Sequence, residues 1–240
     1  MKKINRSGEL LWLFGIIFVA LGVSICNKAD LGVSMIAAPA FVLHEAIAPH
    51  LSFFSVGVAE YLIQGALLLL LCLVIHRFDW RYLLAFAVAV IYGYVLDLFL
   101  FLIGGIEVTG IAVRFLLLLV GDLITAFGVA CFFRTYMPLE VYELFVAEIS
   151  AVFRIGINKV KWGFDLSLLA ISILLALLLF DVNDFDWSTI AYKSYHSIGP
   201  GTLVTTLINS PIIAMMSRLV RRFFDPAPRF PRFEAALKRS

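Results

Sequence analysis

The chain reads as an all-α, polytopic membrane protein whose six transmembrane helices form two inverted three-span repeats, each with an amphipathic or re-entrant helix. Three observations carry that prediction: six long apolar stretches, a one-sided distribution of Lys and Arg, and two short motifs that recur at nearly one offset. The stretches run over residues 10–26, 54–75, 82–104, 108–133, 163–180 and 199–216. Each reaches or approaches the roughly 20 apolar residues that a helix needs to cross a hydrocarbon core. The hydrophobic fraction is 62% and the charged fraction 15%, against about 25% charged in an ordinary soluble domain. A soluble fold of 240 residues has too little interior to hide so many apolar helices.

With the N-terminus placed in the cytoplasm, all of the 19 Lys and Arg except Lys28, Arg114 and Lys193 fall on the inner face. That asymmetry is the positive-inside pattern, and it puts both termini in the cytoplasm. The first stretch follows Lys2, Lys3 and Arg6. It has the basic start and apolar core of a signal peptide, but Val23-Ser24-Ile25-Cys26 offers no small-residue cleavage site, so it is expected to be retained as a helix.

The next segment, 29–53, carries Pro39 and apolar residues at helical spacing. It is read as an amphipathic helix lying in the interface, with a re-entrant element as the alternative. A seventh span over 31–48 would invert the downstream half and destroy the charge bias. In the second stretch Gly57, Glu60 and Gln64 form a polar strip. In the third, Ala85, Ala89, Gly93 and Asp97 share one face at a spacing of four, and small residues there let another helix approach closely. In the fourth, Asp122, Ala126 and Ala130 do likewise. Segment 134–162 repeats the pattern of 29–53: Pro138 precedes an apolar face of Leu139, Tyr142, Phe145, Val146, Ile149 and Phe153, with Glu140, Glu143 and Glu148 away from its centre. An interfacial position is again favoured over a re-entrant one. Asp181, Asp184 and Asp186 make an acidic outer loop. In the last stretch Thr202, Thr205, Thr206 and Asn209 follow a helical stripe, and Pro211 is expected to interrupt the helix. The proline-rich basic tail, 225–240, is expected to lie flexibly against anionic lipid.

Ala20-Leu21-Gly22-Val23-Ser24 matches Ala126-Phe127-Gly128-Val129-Ala130, and Phe78-Asp79-Trp80 matches Phe185-Asp186-Trp187. The expected divisions are therefore a first repeat over 1–107, a second over 108–224 and the tail. An odd number of spans turns the second copy upside down, and transporters built this way place their site at the repeat interface.

Intramembrane ionisable groups are functional candidates because each is costly unless paired or hydrated. Glu60, Asp97 and Arg114 sit at similar depth, about 9 Å below the outer ends of their stretches at 1.5 Å per residue, which invites an ion-paired cluster. The plainer reading is a clamp between Arg114 and Asp97. Glu60, Gln64, Asp97, Arg114, Asp122, Thr202, Thr206 and Asn209 are the candidate substrate or ion path. For the threonines the plainer reading is bonding back to their own helix. No nucleophile–base pair, phosphate-binding glycine loop or metal motif is present, so neither an enzyme nor a cofactor is expected. Cys26, Cys72 and Cys131 have no metal-ligand spacing, and no recognition motif accompanies the basic charge, which excludes nucleic acid.

Leu21-Gly22-Val23-Ser24, Ala29-Asp30-Leu31-Gly32 followed by Pro39, Pro138, Ile198-Gly199-Pro200-Gly201-Thr202-Leu203 and the final Ser210-Pro211 resemble the YczE/YyaS/YitT family of bacterial integral membrane proteins. The chain departs from the pattern at Gly32-Val33-Ser34-Met35, where a proline would follow the glycine soon, and at Pro200 inside the glycine motif. The resemblance implies a bacterial inner-membrane protein of about six spans and little chemistry. The expected function is a small-solute secondary transporter of the bacterial inner membrane, coupled to a proton or cation. The alternative is a non-transporting membrane subunit that regulates or assembles a partner. Expected partners are the lipid bilayer, a small solute, and a second copy or another membrane protein.

Overall fold

Apolar helices of 20–24 residues dominate the computed structural model, which describes residues 4–185, 187–190, 193–227 and 235. Asp186 and most of the expected flexible tail lie outside the described residues. Among the described residues six helices are long and apolar enough to cross a membrane: α1 (Gly8–Lys28), α3 (Val56–Ile75), α4 (Arg81–Gly104), α5 (Ile111–Phe132), α7 (Ile157–Leu179) and α8 (Pro200–Phe223). Between them lie two short helices, α2 (Ala38–Ile47) and α6 (Val141–Phe153). At 1.5 Å per residue, the 10 residues of α2 reach only about 15 Å. Segment 31–48 therefore does not span, and the six-span count stands. Two strands of four residues, β1 (Ile4–Ser7) and β2 (Phe224–Ala227), pair in parallel and bring the start of α1 to the end of α8. The face they mark is the terminal face below.

The outward sides of the long helices explain the composition. Leu69 and Leu73 of α3, Phe101 of α4 and Leu178 of α7 are about 70% exposed or more. Apolar surface of that extent marks a membrane-facing side, so these helices contact lipid.

The element order long, short, long, long occurs twice, as α1–α4 and as α5–α8. The packing follows suit. α1 lies against α5 along most of its length, α1 packs on α4 as α5 packs on α8, and α2 packs on α7 as α6 packs on α3. The α1–α5 crossing is close because glycine meets backbone. A Cβ on Gly22 would lie 2.5 Å from the Gly121 carbonyl oxygen, and one on Gly128 would lie 2.8 Å from that of Gly15. Ile16, Val19, Ala20 and Val23 of α1 close the core with Ala126, Val129 and Phe132 of α5.

Local chemistry sets the element ends. Ser55 is extended and caps α3, accepting from the Val58 N–H at 3.1 Å. Pro200 starts α8, where its missing N–H costs nothing. Gly32 holds φ +99°, open to glycine but strained for other residues, and a Cβ there would lie 2.5 Å from the Gly199 nitrogen. The turn at 30–33 is thereby clasped by the start of α8, with Gly201 N–H donating to the Leu31 carbonyl at 2.7 Å. Pro211 does not break the last helix: α8 continues unbroken to Phe223. It is tolerated because only one helical hydrogen bond is lost and neighbouring helices support the chain there.

Outside the spans, the Arg81 guanidinium donates to Asp79 through Nε at 2.8 Å and holds that carboxyl below the usual carboxylate range. A depressed folded-state value means the contact contributes at neutral pH and is lost as pH falls through it. Asp79→Asn is therefore expected to lower the melting temperature at pH 7, with the difference from wild type shrinking as pH falls below the ordinary Asp value of about 4 and vanishing only below the depressed folded-state value.

Candidate functional site: a buried carboxyl cluster between two cavities

The short helix α6 enters the protein through Pro138, whose carbonyl accepts from Trp12 Nε1 of α1 at 2.9 Å. Glu140 is extended at the helix start, and Glu143 follows one turn on. Both carboxyls are buried, at 3% and 7% exposure. This corrects the interfacial reading. α6 does not turn its acids to a solvated surface, because α3, α4 and α7 pack around it. Irregular and polar chain at membrane depth is tolerated where protein covers it.

Glu140 meets the polar strip of α3. Gln64 Nε2 donates to Glu140 Oε1 at 2.6 Å, and the Val141 N–H donates to Gln64 Oε1 at 3.3 Å. The Tyr142 hydroxyl donates to Glu60 Oε2 at 2.8 Å. The second oxygens of two carboxyls, Glu60 Oε1 and Glu143 Oε2, lack a hydrogen-bond partner, as does Asn209 Oδ1 on α8. All three residues line one enclosed cavity of about 30 Å³ at the centre of the bundle, with Tyr92 and Thr125. Its walls come from both halves of the chain and contain no Lys or Arg. That volume accepts one or two waters. Unit charges 4 Å apart interact by about 4 kcal/mol at an effective dielectric of 20, so three ionised carboxylates with no cation would repel strongly.

Two larger cavities flank the cluster. On the terminal face a cavity of about 210 Å³ lies among α6, α7 and α8, and Glu143, Tyr142 and Ile213 line both it and the central one. On the opposite face a polar cavity of about 640 Å³ is lined by Lys28, Asp30, Glu45, Phe180, Lys193 and His196 among others. There His196 Nδ1 lies 2.9 Å from Glu45 Oε2, and its ring stacks on Phe180 at 3.5 Å. The turn residues Gly32 and Val33 edge this cavity, and Ser34 edges the central one.

Of the candidate residues, Glu60, Gln64 and Asn209 come together here. Asp97, Glu60 and Arg114 do not form the expected cluster, and Asp97 does not pair with Arg114. Asp97 accepts from the Ser55 hydroxyl at 2.6 Å and the Gly57 N–H at 2.8 Å, fixing the start of α3. Arg114 reaches Asp30 at 3.2 Å. Equal depth did not specify azimuth: the two side chains leave different faces of their helices. Asp122 is buried beside Cys26 in the α1–α5 contact, and its Oδ2 has no partner. Thr202 accepts from the Gly199 N–H at 3.2 Å, and Thr205 and Thr206 donate back to the Thr202 carbonyl, so the threonine stripe braces its own helix. Sequence reasoning missed Glu140 and Glu143. The available signal was their spacing of three, one helical face, directly after Pro138.

A family model matches residues 6–218. The chain belongs to DUF6198, a family of unknown function. No curated protein and no solved structure matches the chain.

With Asp97 assigned to the start of α3, Asp97→Asn is expected to cost about 1–2 kcal/mol through weaker hydrogen bonds to Ser55 and Gly57. Thermal unfolding in detergent would register that loss.

Proposed function

We propose that this DUF6198 protein is a proton-coupled secondary transporter of a small solute, working in the bacterial inner membrane with both termini cytoplasmic. The observation that carries the reading is the position of Glu143, which lines both the central carboxyl cavity and the cavity on the terminal face. A protonatable group shared by an occluded site and an accessible one is what coupling requires. Glu60, Glu140 and Glu143 are buried with no basic residue in the central wall, and protons neutralise such a cluster without a bound metal. Among the described residues no set of three His, Cys, Asp or Glu is disposed to hold a metal ion.

The paired packing of the halves supports an inverted repeat, with Glu60 from one half and Glu140 and Glu143 from the other meeting at its centre. In such repeats, rocking of one half against the other exposes a fixed central site to alternate faces. The kinship to the YczE/YyaS/YitT family rests on the motifs quoted above, and Gly32, Gly199 and Thr202 of those motifs meet at the turn that separates the outer cavity from the centre.

The test is purified protein in liposomes loaded with a pH-sensitive dye, screened against solute gradients. A solute class that moves protons in wild type and fails to do so in Glu60→Gln supports the reading. Silence for every class, with protein folded and oriented, would overturn it and return the non-transporting subunit, to be sought by cross-linking in native membranes.

A further inference from the structure

The cavity on the terminal face has a chemistry that selects a charge type. Its two charged residues are not equivalent. Lys161 is engaged with Asp165, Nζ to Oδ1 at 3.2 Å, one helical turn away on α7. Glu143 has no ion pair of its own and only shares the Lys161 charge with Asp165, so the three groups carry one net negative charge when ionised; its Oε2 has no hydrogen-bond partner although the residue is more than nine-tenths buried. The hydroxyl oxygen of Ser210, on the facing helix α8, is also buried without a partner. The remaining wall is largely aromatic and aliphatic. Phe164 faces Tyr142 with ring centroids 6.3 Å apart and stacks on Phe145 at 5.1 Å.

Each solute class meets that wall differently. An anion would face the Glu143 carboxylate, with the single Lys161 charge divided between Asp165 and Glu143. A neutral solute without a donor would leave Glu143 Oε2 buried and unpaired, which costs about 1–3 kcal/mol, and a neutral hydroxyl would supply one hydrogen bond but no charge to balance the carboxylate. An organic ammonium ion satisfies the site: its N–H groups donate to Glu143 Oε2 and to Ser210 Oγ, and its carbon skeleton lies against Tyr142 and Phe164, whose ring faces attract cations. The 210 Å³ is room for roughly seven waters at about 30 Å³ each. That limits the ion to a single ring or a short chain.

We propose that this cavity binds a small organic ammonium ion on Glu143, in competition with a proton for the same carboxylate. The inference rests on the transporter reading and names its substrate class. When the ammonium ion arrives, the protonated Glu143 gives up its proton to solvent and the carboxylate accepts the ammonium N–H. One proton leaves and one monovalent cation takes its place, so the charge of the site is conserved. The arrangement makes the transporter an exchanger of ammonium ions for protons. The titratable and charged groups facing Glu143 are Lys161 and Asp165 from α7, Glu60 from α3, Tyr92 from α4, and Glu140 and Tyr142 from α6; from α8 come the uncharged Asn209, Ser210 and Ser217. Glu143 is assigned the competition because, among these carboxyls, it alone lines both cavities.

Benzylammonium and its neutral isostere benzyl alcohol provide the test, titrated by calorimetry into full-length protein in detergent and in weakly buffered solution with a pH electrode. Benzylammonium should bind with release of up to one proton per site. Its affinity should fall on acidification, approaching tenfold per pH unit where Glu143 is protonated. Benzyl alcohol should bind at least tenfold more weakly. Glu143→Gln should cost at least tenfold in benzylammonium affinity and abolish proton release. Ser210→Ala should weaken binding a few-fold and keep the release, which supplies a reading if Glu143→Gln does not fold. Equal binding of benzyl alcohol, no binding of benzylammonium, or proton release that survives in Glu143→Gln would overturn the assignment. The liposome assay separates the two proposals. Ammonium binding with proton release but no flux for any solute would sink the transporter reading alone. Glu60-dependent proton flux with a carboxylate or neutral solute, without ammonium binding, would sink the ammonium assignment alone. Benzylammonium is also the flux probe, with the passive crossing of its neutral form measured in protein-free liposomes and subtracted.

Discussion

Gly22→Ala is expected to destabilise the protein severely, lowering its melting temperature and the yield of folded protein. The added Cβ would press on the Thr125 side chain, on the Gly121 carbonyl oxygen at 2.5 Å and on the Thr125 nitrogen at 2.6 Å. A side chain can rotate away. Backbone atoms of a packed helix cannot, so α1 would have to move off α5. That contact organises the core: Val19, Ala20 and Val23 on one side and Ala126 and Val129 on the other also touch Tyr92 and Ile213 from α4 and α8. Overpacking usually costs about 1–3 kcal/mol, and a clash with backbone on a central helix belongs at or above the upper end. Gly163→Ala gives the opposite sign. A Cβ there meets nothing within 4 Å, so helix propensity alone acts, and α7 should gain up to about 1 kcal/mol. Size-exclusion chromatography and thermal melting in detergent read both variants. A Gly22→Ala protein that elutes and melts like wild type would mean that α1 and α5 do not cross as closely as described.

The same contact shows how far sequence reached. The motif match at residues 20–24 and 126–130 already paired Gly22 with Gly128. Their real neighbours are Gly121 and Gly15, which stand in the same relation one helical heptad earlier. Each glycine of one helix thus meets the counterpart of the other glycine in its partner, as two helices with the same glycine spacing crossing in opposite directions require. The spans were legible because length, apolarity and charge sidedness are properties of a segment by itself. The carboxyl cluster was not, because periodicity identifies a helix face without saying what lies opposite. An interfacial α6 would turn the apolar face of Tyr142, Phe145 and Val146 to the membrane and its acids away from it. With Phe145, Val146 and Leu144 packed against neighbouring helices, both sides of this short helix are covered, and the acidic side faces the centre. Depth failed for a related reason: Asp97 and Arg114 share a level, but each found a nearer partner, in Ser55 and Asp30.

Glu60→Gln is expected to abolish proton-coupled flux, at least a hundredfold, while the protein remains folded. Glutamine is nearly isosteric, so Tyr142 keeps an acceptor where it now donates to Glu60 Oε2 at 2.8 Å, and no buried charge is left unpaired. What disappears is the ability to gain and lose a proton at the edge of the central cavity, where Glu60 Oε1 has no protein partner. Glu60→Asp retains the acid but shortens it by one methylene, and should retain coupling at a reduced rate. Tyr142→Phe removes the donor while leaving every carboxyl in place, so it should shift the pH at which flux is half-maximal without abolishing it. This pattern separates a proton carrier from a packing residue. A structural role for Glu60 would make Gln the mildest of the replacements at this position, since it preserves shape and hydrogen bonding best. Flux in Glu60→Gln equal to that in Glu60→Asp, at matched protein orientation in the liposomes, would remove Glu60 from the mechanism and leave Glu140 and Glu143 as the carboxyls to test.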